Sequence, residues 1–302
     1  MSFINLNWYI ALAFCLIFFI GGRQLAEFQG ENARGNTRAG FTLKLILFAF
    51  ALPSLLFPLA YLPDAISASP WYNTFRSINR IELFSSLIAP AAGYSTYRKP
   101  ANQYGVRRAQ NSSPMLGVLK PLAFPFCLIL ISVNFVGPIM RPLSKEISFT
   151  DAWTEDGVYL QTIPATAGPS ALISAMYLLN YFADAELDVA KNTYTDRAGT
   201  EFWYLARYAV NKGYRTKFIK PPDIEGAPFP SIVSVARVKA EDGEDGVGDR
   251  AGSYIILIKR SEDGVLTIGD PAAGKLEMNA GEYRYAYGDP ALALAISAPR
   301  DR

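Results

Sequence analysis

Gln161-Thr-Ile-Pro-Ala-Thr-Ala167-Gly168-Pro169-Ser170-Ala-Leu172 is where the chain turns from irregular structure into a helix. Proline suits the first helical turn, because its missing N–H would find no partner there in any case. An apolar run follows, so a helix is expected over 169–182, with Gly168 at its mouth. Downstream, 185–191 reads as a short helix. Gly199-Thr200-Glu201 opens an amphipathic helix over 202–212, which Gly213 ends. The pattern then becomes strands: 231–238, 253–259 and 265–268, with further extended pieces at 158–162 and 283–287. Helices first and strands second predict an α+β domain with an antiparallel sheet over 141–302.

Composition separates this domain from what precedes it. The chain has 302 residues, of which 50% are hydrophobic and only 19% charged. Soluble domains carry about 25% charge, so a membrane-embedded part is expected. A net charge of +2 gives no broad attraction to nucleic acid. Histidine is absent, which excludes Ser-His-Asp triads, Cys-His dyads and His-ligated metals. The two cysteines, Cys15 and Cys127, sit in apolar runs and are read as lipid- or core-facing. Two are too few for a disulfide framework or a Cys-only zinc site. No cofactor and no metal are expected.

Residues 1–140 read as an all-α transmembrane region. Three apolar runs, about 3–22, 41–61 and 116–140, are long enough to cross about 30 Å of hydrocarbon. A shorter run, 81–97, with Glu82 near its start and Pro90 inside, is a fourth candidate. The first run lacks the basic start and small-residue cleavage site of a signal peptide. With four spans and the N-terminus outside, Arg23, Arg34, Arg38, Arg98, Lys99, Arg107 and Arg108 fall on the cytoplasmic side. Three spans would put Arg98 to Arg108 outside. The positive-inside rule therefore favours four spans and an extracytoplasmic C-terminal domain. Lys44, Glu82 and Lys120 lie near segment ends, which suits anchors better than a transport pathway.

Three local motifs have plain explanations. Gly269-Asp-Pro-Ala-Ala-Gly274-Lys275 matches the start of a phosphate-binding loop, but Leu276 follows where Ser or Thr is needed, and no helix follows. A turn between two strands is expected, and no nucleotide. The acidic run 241–249 lacks the twelve-residue calcium pattern and its closing Glu, so it reads as a solvated loop. Phe202, Trp203, Tyr204 and Tyr208 fit helix packing better than a ligand cage.

A longer series carries the more specific signal. Glu155-Asp-Gly-Val-Tyr-Leu-Gln161 leads into Ala167-Gly168-Pro169. Thr195-Asp-Arg-Ala-Gly199, Gly252-Ser253-Tyr254-Ile-Ile-Leu257 and Gly269-Asp270-Pro271 follow in order. Over residues 150–290 this series resembles the bacteriocin-processing (double-glycine) cysteine peptidase family, in its membrane-anchored branch. The resemblance implies a papain-like fold, with a helical half and an antiparallel sheet. It implies a Cys nucleophile at a helix N-terminus, a His base on a strand, an Asp that orients the His, and a Gln that donates to the oxyanion. Gln161 and Asp270 match two of these positions. Ala167 stands where the Cys belongs, and Ser253 where the His belongs.

An Ala methyl cannot attack a carbonyl, and a Ser hydroxyl is a poor proton acceptor near neutral pH. The expectation is a pseudopeptidase in a bacterial inner membrane. Its cleft, around Gln161, Ala167, Gly168, Ser253 and Tyr254, would hold a peptide or protein tail without cutting it. The alternative is a structural subunit of a larger integral-membrane complex, with the domain as a docking surface. Under that alternative, Gly168, Gly252 and Gly274 serve turns and close approach, and Asp270 caps a turn.

Overall fold

The computed structural model describes residues 4–32, 37–61, 68–96, 125–134, 147–180, 184–220, 224–235 and 253–298. Along the chain the helices are α1 (Leu6–Asn32), α2 (Thr37–Ala51), α3 (Pro70–Ser77), α4 (Ala89–Thr96) and α5 (Pro125–Asn134). Then come α6 (Ala167–Leu178), α7 (Glu186–Asn192), α8 (Phe202–Asn211) and α9 (Ala280–Tyr287). Two 3-10 segments, Leu52–Tyr61 and Ile81–Ile88, extend α2 and lead into α4. The chain divides into two compact units: Asn5–Tyr61 with Arg80–Val136, and Met1–Ile4, Leu62–Asn79 and Gly137–Arg302.

The first unit is helical. Among the described residues, Leu6–Phe28 in α1 is the one helix long and apolar enough to cross a membrane. α1 passes the expected end at Gly22 and carries Arg23 and Glu27 within it. Gly22 lies inside the helix as a contact point: a Cβ there would lie 2.1 Å from the Pro90 carbonyl oxygen. A Cβ on Gly93 would lie 1.9 Å from the Phe19 carbonyl oxygen. Backbone therefore meets backbone where α1 crosses α4, the small-residue contact common between apolar helices.

Trp8 packs edge-on to Phe57 at 5.6 Å. The Cys15 and Cys127 sulfurs lie 3.0 Å apart, so both thiols face this unit's core. The 41–61 run is α-helical only to Ala51, since Pro53 and Pro58 remove two helical donors. Residues 81–96 are helical, and Glu82 is buried, accepting from Asn5 Nδ2 at 3.1 Å. Of the 116–140 run, only α5 lies within the described residues.

The second unit is α+β. Six antiparallel strands, β1 (Arg215–Ile219), β2 (Ser231–Val235), β3 (Ser253–Arg260), β4 (Leu266–Asp270), β5 (Gly274–Met278) and β6 (Leu292–Ser297), pair in the order β1-β6-β2-β3-β4-β5. Val233, Val235, Ile255, Leu257, Leu266 and Ile268 form one core with Tyr283 and Tyr287 of α9. Those two tyrosines correct the expected extended piece at 283–287. Asn279 and Glu282 form a capping box, with Asn279 Oδ1 accepting from Glu282 N at 2.9 Å, and this starts a helix instead.

The stretch expected to be a loop between membrane segments contributes α3 to this unit. Arg76 of α3 is buried and stacks 4.3 Å from the Trp203 ring centroid. Its main-chain oxygen accepts from Arg207 Nη2 at 2.8 Å. Phe202 packs on Phe218 and Tyr254, and Tyr204 on Tyr194, so the aromatics of α8 are core. The acidic run 241–249 lies outside the described residues.

Candidate functional site

The candidate site is built around the start of α6. Pro164–Thr166 forms a 3-10 turn that joins Gln161 to Ala167, the first residue of the helix. Thr166 Oγ1 closes this turn on the Ile163 carbonyl at 2.8 Å. The segment before it is strapped at two points. Gln161 N donates to the Pro271 carbonyl at 2.8 Å, which ties the Gln161 position to the turn after Asp270. Thr162 N donates to Glu186 Oε1 at 2.9 Å, and the Thr162 hydroxyl bonds the other oxygen of the same carboxylate. Ser170 Oγ, in the first turn of α6, reaches Glu186 Oε1 at 3.3 Å.

Glu186 is fully buried. A buried carboxylate with these donors is a specific anchor, because each donor would be left unsatisfied without it. A second strap adjoins the first. Asp151 accepts from Glu186 N at 2.8 Å and from the Tyr159 hydroxyl. Burial, and then the Asp151 carboxylate, push the Tyr159 hydroxyl above its ordinary pKa, so Tyr159 stays a neutral donor. Neither Glu186 nor Asp151 belongs to a motif with fixed spacing, and nothing in the sequence singled them out.

The five residues assigned to a binding cleft lie as follows. Gln161 is half-buried. Ala167 is 5% exposed. Gly168 is enclosed: a Cβ there would lie 3.2 Å from Thr200 Cβ, 3.2 Å from Tyr254 Cδ2 and 3.3 Å from Leu205 Cδ1. Tyr254 is buried and donates to the Thr200 carbonyl at 2.6 Å. Burial, and then the Glu201 charge, raise its hydroxyl above the ordinary range. Ser253 opens β3, its backbone opposite Val235. Tyr254 packs against the start of α6.

Asp270 ends β4 and is 5% exposed. Its Oδ1 accepts from Ala272 N at 2.7 Å, and its Oδ2 from the Tyr287 hydroxyl at 2.8 Å. It holds the β4–β5 turn and fastens it to α9. The phosphate-loop look-alike is this hairpin, with Asp270 paired to Gly274 and Gly274 at φ +89°. A strand follows it, and Lys275 pairs with Asp156 at 3.2 Å.

No protein-family model matches the chain, and no curated protein matches it. Solved structures do. The peptidase domain of Streptococcus ComA, a bi-functional ABC transporter involved in a quorum-sensing pathway, is 21% identical with a TM-score of 0.37, over 46% of this chain and 96% of that one. The peptidase domain of Streptococcus mutans ComA is 19% identical with a TM-score of 0.34, over 47% and 98%. A double-glycine-motif protease from an AMS/PCAT transporter, in complex with the leader peptide, is 14% identical with a TM-score of 0.38, over 52% and 98%. At these identities and scores, any assignment of function rests on the site residues.

Proposed function

We propose that this chain is a membrane-tethered, catalytically silent peptidase-like domain that holds a peptide or protein tail without cleaving it. The carrying observation is Ala167. It occupies the first position of a buried helix, six residues after Gln161, in a chain with no histidine. A methyl group there supplies no nucleophile, and no imidazole is available as a base. The straps through Glu186 and Pro271 still hold the Gln161 segment in place.

The domain is proposed to lie outside the cytoplasm. Leu62–Asn79 and Gly137–Arg302 belong to one compact unit, joined by α3 on α8. On this reading the chain between them crosses the membrane an even number of times. Crossing at both 81–96 and 116–140 satisfies this and leaves Arg98, Lys99, Arg107 and Arg108 on the opposite, cytoplasmic face. In a cysteine-free background, cysteines at Thr74 and Tyr285 should both react with an impermeant maleimide added outside intact cells. A cysteine at Gln103 should not. Opposite labelling of Thr74 and Tyr285 rejects this arrangement.

The direct test of function uses the full chain in lipid nanodiscs and a fluorescent pool of extended peptides, including glycine-rich ones. Saturable binding with no new peptide termini by mass spectrometry is expected. Cleavage, or no binding to any peptide, overturns the proposal. The second reading is an accessory subunit of a larger membrane complex, with the domain as a docking surface. The observation in its favour is the burial of Ala167 and the close packing around Gly168, which leave little open space at the start of α6. Stoichiometric membrane partners after mild solubilisation would support it.

A further inference from the structure

A second feature lies on the β4–β5 side of the same domain. Trp153, Thr154, Glu155, Asp156, Gly157 and Tyr177 line a surface cavity of about 440 Å³. It is built by a tight hairpin. Trp153 bridges Tyr159, Thr154 N bonds the Val158 carbonyl at 2.9 Å, and Gly157 takes φ +79° at the tip. The hairpin rests on α6 through Tyr177, whose ring centroid is 4.8 Å from that of Trp153. A Cβ on Gly157 would lie 3.1 Å from Tyr177 Cε1, so the tip lies directly against that ring. Tyr159 props Trp153 edge-on at 4.9 Å and is buried.

The two wall aromatics are left open to solvent, Trp153 at 39% and Tyr177 at 45%. Large rings normally bury far more of their surface unless a partner covers them. Two acidic residues share the lining. Asp156 is balanced by Lys275 at 3.2 Å. Glu155 is exposed and makes no ion pair among the described residues, so it leaves the cavity with an uncompensated negative charge.

We propose that this cavity binds a basic side chain, an arginine or lysine, of the polypeptide the domain holds. Exposed aromatic rings and an unbalanced carboxylate lining one cavity attract a guanidinium or ammonium group. The ring quadrupole and the anion act on the same charge, and an apolar side chain gains only from the ring. The hairpin that lines the cavity is tied to the segment before the site described above. Thr154 touches Gly274, Asp156 holds Lys275, and Gln161 bonds Pro271, so the hairpin and the Gln161 segment are stitched to one turn. This inference rests on the peptide-holding reading and adds the chemistry of one of the peptide's side chains.

The test uses the full chain in nanodiscs with a peptide that binds it, made in two forms that differ only by arginine or citrulline, which has the same shape without the charge. The arginine form should bind about tenfold more tightly. In E155Q and in W153A that preference should shrink to under about twofold. Glu155 is exposed, so E155Q keeps the fold if W153A does not. Equal affinity for the two forms, or a preference that survives E155Q, overturns the proposal while leaving peptide binding intact. If no peptide binds at all, the peptide-holding reading fails. N-acetyl-arginine amide then tests the cavity alone: quenching of tryptophan fluorescence that is lost in E155Q supports it, and no response rejects it.

Discussion

The two units are held together by opposite means. In the helical unit the tightest contacts are made where side chains are missing, with Gly22 on the Pro90 carbonyl and Gly93 on the Phe19 carbonyl. In the α+β unit the core is made by what side chains fill, from Val233 and Ile255 to Tyr283 and Tyr287. With the helical unit in a membrane, as proposed, the difference follows from the solvent. In hydrocarbon, apolar side chains gain little by meeting one another, so close backbone approach and dispersion must bring helices together. In water, removing apolar surface is itself the driving force.

The sharpest way to break this comparison is at Gly93. G93V has no room at 1.9 Å and should abolish the α1–α4 contact, with collapse of detergent-solubilised stability by thermal scan. G21A is the control, since a Cβ there meets nothing within 4 Å, and it should leave the melting curve unchanged. The next largest effect belongs to the other unit. Tyr283 is fully buried in the sheet core, and Y283A should cost about 3–5 kcal/mol in urea unfolding. A fully helical α1–α4 response to Y283A would erase the contrast between the units.

Smaller effects sharpen the site. E186Q keeps an acceptor for one Thr162 donor but weakens the charge-assisted bonds, and should cost about 1–3 kcal/mol. Hydrogen exchange at Thr162 N should quicken relative to the amides of β3. N279A removes an exposed cap from α9 and should cost about 1 kcal/mol, read as a shift of the unfolding midpoint with its slope unchanged.

Much of the fold was legible along the chain. The helix after Gly168, the aromatic helix over 202–212 and the strands in the second half follow from hydrophobic period and capping signals that are local in sequence. The hairpin at 269–275 was also readable, because Leu276 in place of Ser or Thr and a missing helix leave only a turn. The candidate site was half legible. Positions 161, 167 and 270 carry a recognisable spacing. Glu186 is 24 residues from Thr162, and no periodicity marks it as that segment's anchor. The 283–287 piece was misread because Tyr alternation looks like a strand until Asn279 and Glu282 are seen as a cap.

The sequence by itself determined what chemistry is missing and where apolar runs begin. Residue types are absolute: with no histidine in the chain and an alanine at position 167, packing cannot supply an imidazole base anywhere or a thiol nucleophile at that position. Only the tertiary structure decided which distant surfaces meet. It assigned α3 to the C-terminal unit through Arg76 and Trp203, paired Cys15 with Cys127, and set Tyr177 against Trp153. Local propensity acts over a few residues, whereas these contacts join parts of the chain far apart in sequence. They exist only once helices and sheet have buried their shared faces.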